Sequence, residues 1–279
     1  MRIFPYWARA TDTVGLPDGR RASLTAFGWS AESIEDARRV ARDRLAAQAD
    51  RLRRGDPFPD AYAYGSRPLR EDVEDDDPTG DGQGRVVVTR NAHGSLVLNA
   101  PRTMFLDVDL PPPSAGGLLR GLFGRRSDPE AERLAALRAA LGATGRTCRI
   151  YRTAAGFRAL AVDRECAPEA DETQALMAAA GVDPAYARLC RVQQSFRARL
   201  TPKAWRVGVK TKPPAFPRET AEQDVELTRW IQAYDQACAG HATCRYLETV
   251  GTGATCSEVA PVLALHDERT RSLEALPLA

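Results

Sequence analysis

The sequence predicts an α+β protein with a mostly antiparallel sheet core and flanking helices. Three observations carry this. Strand-like and helix-like segments interleave along the 279 residues without an internal repeat. Several strand-like runs are joined by tight turns, Asn91-Ala92-His93-Gly94 and Ala154-Ala155-Gly156 among them. No nucleotide-binding βαβ unit precedes the central strands. A chain of this length is ample for a sizeable core, as one large domain or two small ones.

The elements follow in order. Residues 2–9 and 20–28 read as two strands around Pro17-Asp18-Gly19. A helix follows, with Ser30 as N-cap, Glu32 in the first turn, and Ile34, Ala37, Val40, Ala41 and Leu45 at helical spacing; it stops at Gly55-Asp56-Pro57. Residues 55–84, rich in Pro, Gly and Asp, read as loop. Strands are expected at 85–90, 95–99 and 103–110, then an exposed connector at 111–127, either a floppy loop or a flap. Asp128-Pro129 opens a helix, as cap and first-turn proline. Strands at 147–152 and 157–163, helices at 170–180 and 184–191, a hairpin at 194–209, a helix at 219–238, and strands at 243–249 and 260–266 complete the chain. Residues 1–84 form an N-terminal α+β subregion with an acidic loop, 85–279 the core, in one continuous globular unit.

Composition is ordinary for a globular protein, 43% hydrophobic and 27% charged. The longest apolar runs are too short for a bilayer, the N-terminus lacks a signal-peptide pattern, and six scattered cysteines read as reduced thiols, so the expectation is a cytoplasmic protein with no membrane partner. Net charge is only +2, but the charges segregate. Residues 71–77, EDVEDDD, hold six acids, and 188–212 hold eight cations and no acid. The acidic run reads as a solvated loop or as an intramolecular mimic of nucleic acid.

The stretch TMFLDVDLPPP, residues 103–113, sets the functional question. On a strand, Met104, Leu106, Val108 and Leu110 face one way and Phe105, Asp107 and Asp109 the other. Two carboxylates about 7 Å apart along one face can converge on a hard cation; buried without a counter-charge they would repel. Either they sit at a wet strand end or pair with arginines, or they hold a metal. The 194–209 hairpin would put Arg197, Arg199 and Arg206 on one face, with Lys203 in the turn, a rigid surface suited to phosphates if it is not simply a solvated outer face. In YRTAAGFRAL, 151–160, Arg152 and Arg158 flank a small turn whose backbone N–H groups could meet a triphosphate. VLALHDERT, 262–270, reads as a strand ending in Asp267, with His266 opposite as a satisfied surface histidine. Cys238, His241, Cys244 and Cys256 carry zinc-ligand types in a C-x2-H-x2-C-x11-C spacing, but they straddle a helix–strand boundary, so small buried thiols are the favoured reading over structural Zn²⁺.

A strand with Asp-x-Asp, a strand-turn-strand with a small-residue turn and a basic residue, and a late apolar segment ending in Asp is similar to the archaeo-eukaryotic primase (primase-polymerase) superfamily. Its motifs are hDhD, small-x-His and a late hD. The resemblance spans about residues 85–270 and implies an RRM-like catalytic core. It places Asp107 and Asp109 in the first motif and Asp267 in the third, as catalytic residues and ligands of Mg²⁺ or Mn²⁺. Arg152, Arg158, Arg197, Arg199, Lys203 and Arg206 would then bind phosphates of a nucleoside triphosphate and of a single-stranded nucleic acid, for nucleotidyl transfer. The departure is Arg158, where the family carries histidine. Haloacid-dehalogenase-type phosphatases share the FLDVDL look but not the following Leu110-Pro111. The rival reading is a non-catalytic protein that binds nucleic acid or an acidic partner through 194–209.

Overall fold

A computed structural model of the chain describes residues 3–16, 18–56, 68–80, 86–111 and 128–279. The proposed connector beyond residue 111, the Pro17 corner and half of the 55–84 loop lie outside the described residues. The fold is α+β, with ten strands in three antiparallel sheets and six helices among the described residues. The chain divides into two compact units, Met1–Asp72 with Pro214–Thr228, and Val73–Pro213 with Arg229–Ala279.

The first unit is built on a long antiparallel hairpin, β1 (Tyr6–Gly15) and β2 (Arg21–Ser30), in register from Tyr6 opposite Ser30 to Gly15 opposite Arg21. Helix α1 (Ile34–Arg54) packs on it through small residues: Ala8, Ala37 and Ala41 form one buried cluster. A Cβ on Gly28 would lie 2.1 Å from the Ala37 carbonyl oxygen, so only glycine permits this approach. The N-cap is Ser33, whose hydroxyl accepts from the Asp36 N–H at 3.1 Å, and not Ser30, which caps the preceding turn by accepting from Glu32 N–H at 3.0 Å. Gly55, at φ 73°, closes the helix as expected.

The second unit contains two four-stranded sheets. One has the order β10 (Cys244–Val250), β7 (Cys148–Thr153), β8 (Gly156–Ala161), β6 (Phe105–Asp109), and the other β3 (Asp72–Asp75), β4 (Val87–Arg90), β5 (Leu96–Ala100), β9 (Phe196–Arg199). Both contribute to one core. Phe105, Ile150, Tyr151 and Leu160 from the first sheet and Leu98, Phe196 and Ala198 from the second are buried in one cluster. Leu137 and Leu141 of α2 (Pro129–Gly142), Met177 of α3 (Asp171–Ala179) and Cys190 of α4 (Pro184–Gln193) join it. Helix α5 (Ala221–Cys238) is shared in sequence between the two units.

Three expected elements differ. Residues 260–266 are not a strand but part of α6 (Ala260–Thr270). Val262, Leu265 and His266 are buried at helical spacing, and Pro261 occupies the first helical turn. The second arm of the 194–209 hairpin is absent as a strand: after β9 the chain turns at Thr201-Pro202 and forms a single 3₁₀ turn, Ala204–Val207, closed by Gly208 at φ 84°. Pro202 can give no ladder hydrogen bond, and Ala204, Val207 and Val209 instead pack with Trp230 and Tyr234. The acidic run contains β3 rather than being all loop. Its Asp72 pairs with Arg218 at 2.6 Å, and its Glu74 with Arg90 at 2.7 Å.

Candidate functional site

The site grows from the register of two strands. β6 runs antiparallel to β8 with Asp107 opposite Arg158 and Asp109 opposite Gly156. Directly opposed residues share a face, so Asp107, Asp109 and Arg158 point the same way. Gly156 allows the strands to close, since a Cβ there would lie 2.1 Å from the Val108 carbonyl oxygen. Arg158 is buried, with 3% of its side chain exposed, whereas the Asp107 side chain is 40% exposed. The guanidinium holds Asp107 in a bidentate pair, Nε to Oδ1 at 2.7 Å and Nη2 to Oδ2 at 3.1 Å. Burial alone would disfavour its charge; Asp107 more than offsets this and keeps the Arg158 pKa above its ordinary value.

The remaining Arg158 donors tie the site to its surroundings. Nη1 donates to the Arg199 carbonyl at 2.9 Å and lies 3.3 Å from His266 Nε2. Arginine only donates, so this Nε2 accepts and the His266 proton sits on Nδ1, which donates to Asp267 Oδ1 at 3.1 Å. Burial, aided by Arg158, pulls the His266 pKa below 6.5 against the pull of Asp267. Asp267 also accepts from the Ser272 hydroxyl at 3.0 Å and pairs with Arg149 at 3.0 Å. The Tyr151 hydroxyl is buried beside Asp267, and burial together with that carboxylate raises its pKa. The result is a chain, Asp107–Arg158–His266–Asp267–Arg149, on one sheet face. His266 is fully buried, packed against the Phe105 and Tyr151 rings, and is not a surface histidine.

A depression of about 70 Å³ opens beside this chain, room for a phosphate-sized group. Asp107, Asp109 and Arg158 line it with Thr153, Arg199, Lys203 and Arg206. Arg199, Lys203 and Arg206 are each half-buried and form no ion pair among the described residues. The Arg199 Nε is buried without a hydrogen-bond partner. Burial lowers the Arg199 pKa against the pull of Asp107, with Arg158 and Arg206 adding to the fall; burial together with Arg199 and Arg206 lowers that of Lys203 against Asp109 and Asp107. Four cations thus face two carboxylates, one of them already bound. Tyr186 joins the two sheets: its hydroxyl donates to the Arg197 carbonyl at 2.8 Å, accepts from the Arg197 N–H at 3.2 Å, and lies 3.3 Å from the Phe105 carbonyl of β6.

Other expected site residues lie elsewhere. Asp267 does not line the depression; it borders a separate cavity with Arg149, Leu263 and Arg271. Arg197 lies on β9 two residues from Arg199 but does not line the depression. Arg152 pairs with Glu130 at 2.6 Å and donates to the Gly156 carbonyl at 2.9 Å. Two N–H groups of the small turn are satisfied: the Thr153 hydroxyl accepts from Ala155 at 3.4 Å and Gly156 at 3.1 Å. The three carboxylates of the primase pattern therefore do not gather at one point, and among the described residues no three His, Cys, Asp or Glu side chains form a metal-binding group. Cys244 lies 3.9 Å from His266 Nε2, and His241 Nδ1 lies 3.2 Å from the Ala237 carbonyl. Sequence reasoning missed Thr153, Tyr186 and the buried role of His266; Tyr186 carries no local signal, because only the folded sheets bring it to Arg197.

Compared with known proteins, the chain matches no family model, no curated protein and no solved structure. Among the described residues no helix is long and apolar enough to cross a membrane.

Proposed function

We propose that the second unit binds phosphate groups of a nucleotide or a nucleic acid at the Arg199–Lys203–Arg206 depression, without needing catalysis. The observation that carries this reading is that these three cations line one small cavity and none of them forms an ion pair among the described residues, although Asp107 and Asp109 line the same cavity. Grouped half-buried cations repel one another, and a bound phosphate would relieve that repulsion and give the Arg199 Nε–H an acceptor. Asp107 and Asp267 each have a protein counter-charge, Arg158 and Arg149. This favours binding over metal-dependent nucleotidyl transfer, in which the same carboxylates would face cations.

The test is affinity for a labelled single-stranded oligonucleotide across a salt series. Each phosphate contact contributes about 0.7 to the slope of log affinity against log salt. R199Q/K203Q/R206Q is expected to weaken binding and lower the slope by about 2. An unchanged slope refutes the reading. Incorporation of labelled nucleotide that requires Mg²⁺ or Mn²⁺ and is lost in Asp107→Ala would replace it with the enzyme.

A further inference from the structure

Beside the depression stands a feature the phosphate reading does not use. Trp205, between Ala204 and Arg206 in the 3₁₀ turn, is 56% exposed. The Lys203 ammonium sits 5.2 Å from its ring centre, and His93 meets it edge-on at 6.1 Å. The exposure does not come from a loose loop. The Tyr234 hydroxyl bonds Thr201 at 2.7 Å, and the Ser95 hydroxyl donates to the Pro202 carbonyl at 3.1 Å. The Leu96 N–H donates to the Thr201 hydroxyl at 2.9 Å, and Val209 N–H closes onto the Ala204 carbonyl at 3.0 Å. Ala204 is buried in the Trp230–Tyr234 cluster. A pinned backbone thus presents an indole to solvent on a turn whose other functional side chains, Lys203 and Arg206, line the cationic depression.

We propose that Trp205 is a stacking platform for an unpaired nucleobase whose phosphate occupies the Arg199–Lys203–Arg206 depression, so that the ligand is single-stranded nucleic acid. The inference rests on the phosphate-binding reading and adds the base. An aromatic face beside cations is what binds single strands irrespective of sequence: every base has a π face, and each is joined to a phosphate. A duplex keeps its bases stacked on one another and offers none to the ring. An acidic protein partner could meet the cations and the indole only through separate side chains, whereas in a nucleotide the flat base and the phosphate are joined in one unit. The Lys203 ammonium over the ring strengthens this arrangement, since it links the stacking surface to the phosphate site through one side chain.

The experiment compares full-length protein binding to a labelled oligo-dT of about 12 nucleotides with binding to an abasic strand carrying the same number of phosphates, at one salt concentration. The parent is expected to prefer oligo-dT by about fivefold or more, and Trp205 emission should be quenched on binding. W205A should lower the oligo-dT affinity to the abasic value, and W205F should keep most of the preference. Equal affinity for the two strands in the parent, or a preference that survives W205A, overturns the inference. If both strands bind equally and R199Q/K203Q/R206Q abolishes both, phosphate binding stands and only the stacking falls; if neither strand binds, both readings fall.

Discussion

Replacing Asp107 by alanine separates a carboxylate that balances Arg158 from one held open for a cation. The variant removes both acceptors of a guanidinium that is only 3% exposed, leaving it with the Arg199 carbonyl and the His266 lone pair. Breaking a fully buried pair costs about 3–5 kcal/mol, and an exposed pair contributes about 0–1 kcal/mol. The Asp107 side chain is 40% exposed, so solvent screens part of the field and the expected loss is about 2–3 kcal/mol. For a domain of this size that is a fall in Tm of about 4–12 °C. Asp109 has no ion pair among the described residues and is exposed, so Asp109→Ala should stay within about 0.5 kcal/mol of the parent. Adding Arg158→Met to Asp107→Ala should restore part of the loss, because it removes the uncompensated buried charge. Thermal and urea melts of the four proteins measure this. If Asp107→Ala stabilises the protein, or if the two alanine variants are equivalent, Asp107 is not bound to Arg158 in solution and the metal reading regains its ligand.

The burial of neutral His266, with its pKa below 6.5, gives a signed pH dependence. The unfolded chain takes up a proton that the folded one resists, so this contribution is whole above pH 6.5 and falls as pH drops from there toward the folded pKa; His266→Gln should flatten that part of a stability–pH curve, and an unchanged curve would show that the imidazole is not held neutral. Asp267, whose pKa is lowered by His266 and Arg149 against burial, adds a second loss as pH falls below 3.8. Gly156→Ala should destabilise by about 1–3 kcal/mol, because the new methyl meets the Val108 carbonyl and pushes β8 from β6. Gly142→Ala, at the end of α2 with open space around it, should be neutral or slightly stabilising in the same melts.

Much of this was legible locally. Alternation along TMFLDVDL places Asp107 and Asp109 on one face, and the turn in YRTAAGFRAL places Arg158 on a strand; these patterns survive because a two-residue period is fixed by the backbone itself. Which carboxylate meets which arginine was not legible, because it depends on the register between β6 and β8, set some fifty residues apart in the chain. The strand expected at 260–266 fails for a different reason. VLAL is apolar in every position, and a continuous apolar run fits a buried strand or a buried helix face equally; Pro261 was the discriminating signal. At 194–209 the alternation of Trp205, Val207 and Val209 imitates a strand arm. The valines do pack inward with Trp230, but from a turn, and Trp205 faces water. Of the six cations expected to act together, Arg158, Arg199, Lys203 and Arg206 line the depression, and Arg152 and Arg197 do not.

The buried chain and the anion depression meet at Arg199. Its carbonyl accepts from Arg158 at 2.9 Å while its side chain lines the depression. On the proposed phosphate-binding reading, Arg158 would contribute without touching the ligand, by fixing the backbone from which Arg199 reaches out. A lysine at 158 would keep the charge but not the forked geometry that serves Asp107 and the Arg199 carbonyl at once. Arg158→Lys should accordingly weaken oligonucleotide binding with little change in the salt slope, because the number of phosphate contacts is the same and only their placement suffers. Arg199→Gln should lower the slope itself. If Arg158→Gln lowers the slope as much as Arg199→Gln does, Arg158 meets the phosphate directly and its pairing with Asp107 opens when the ligand binds.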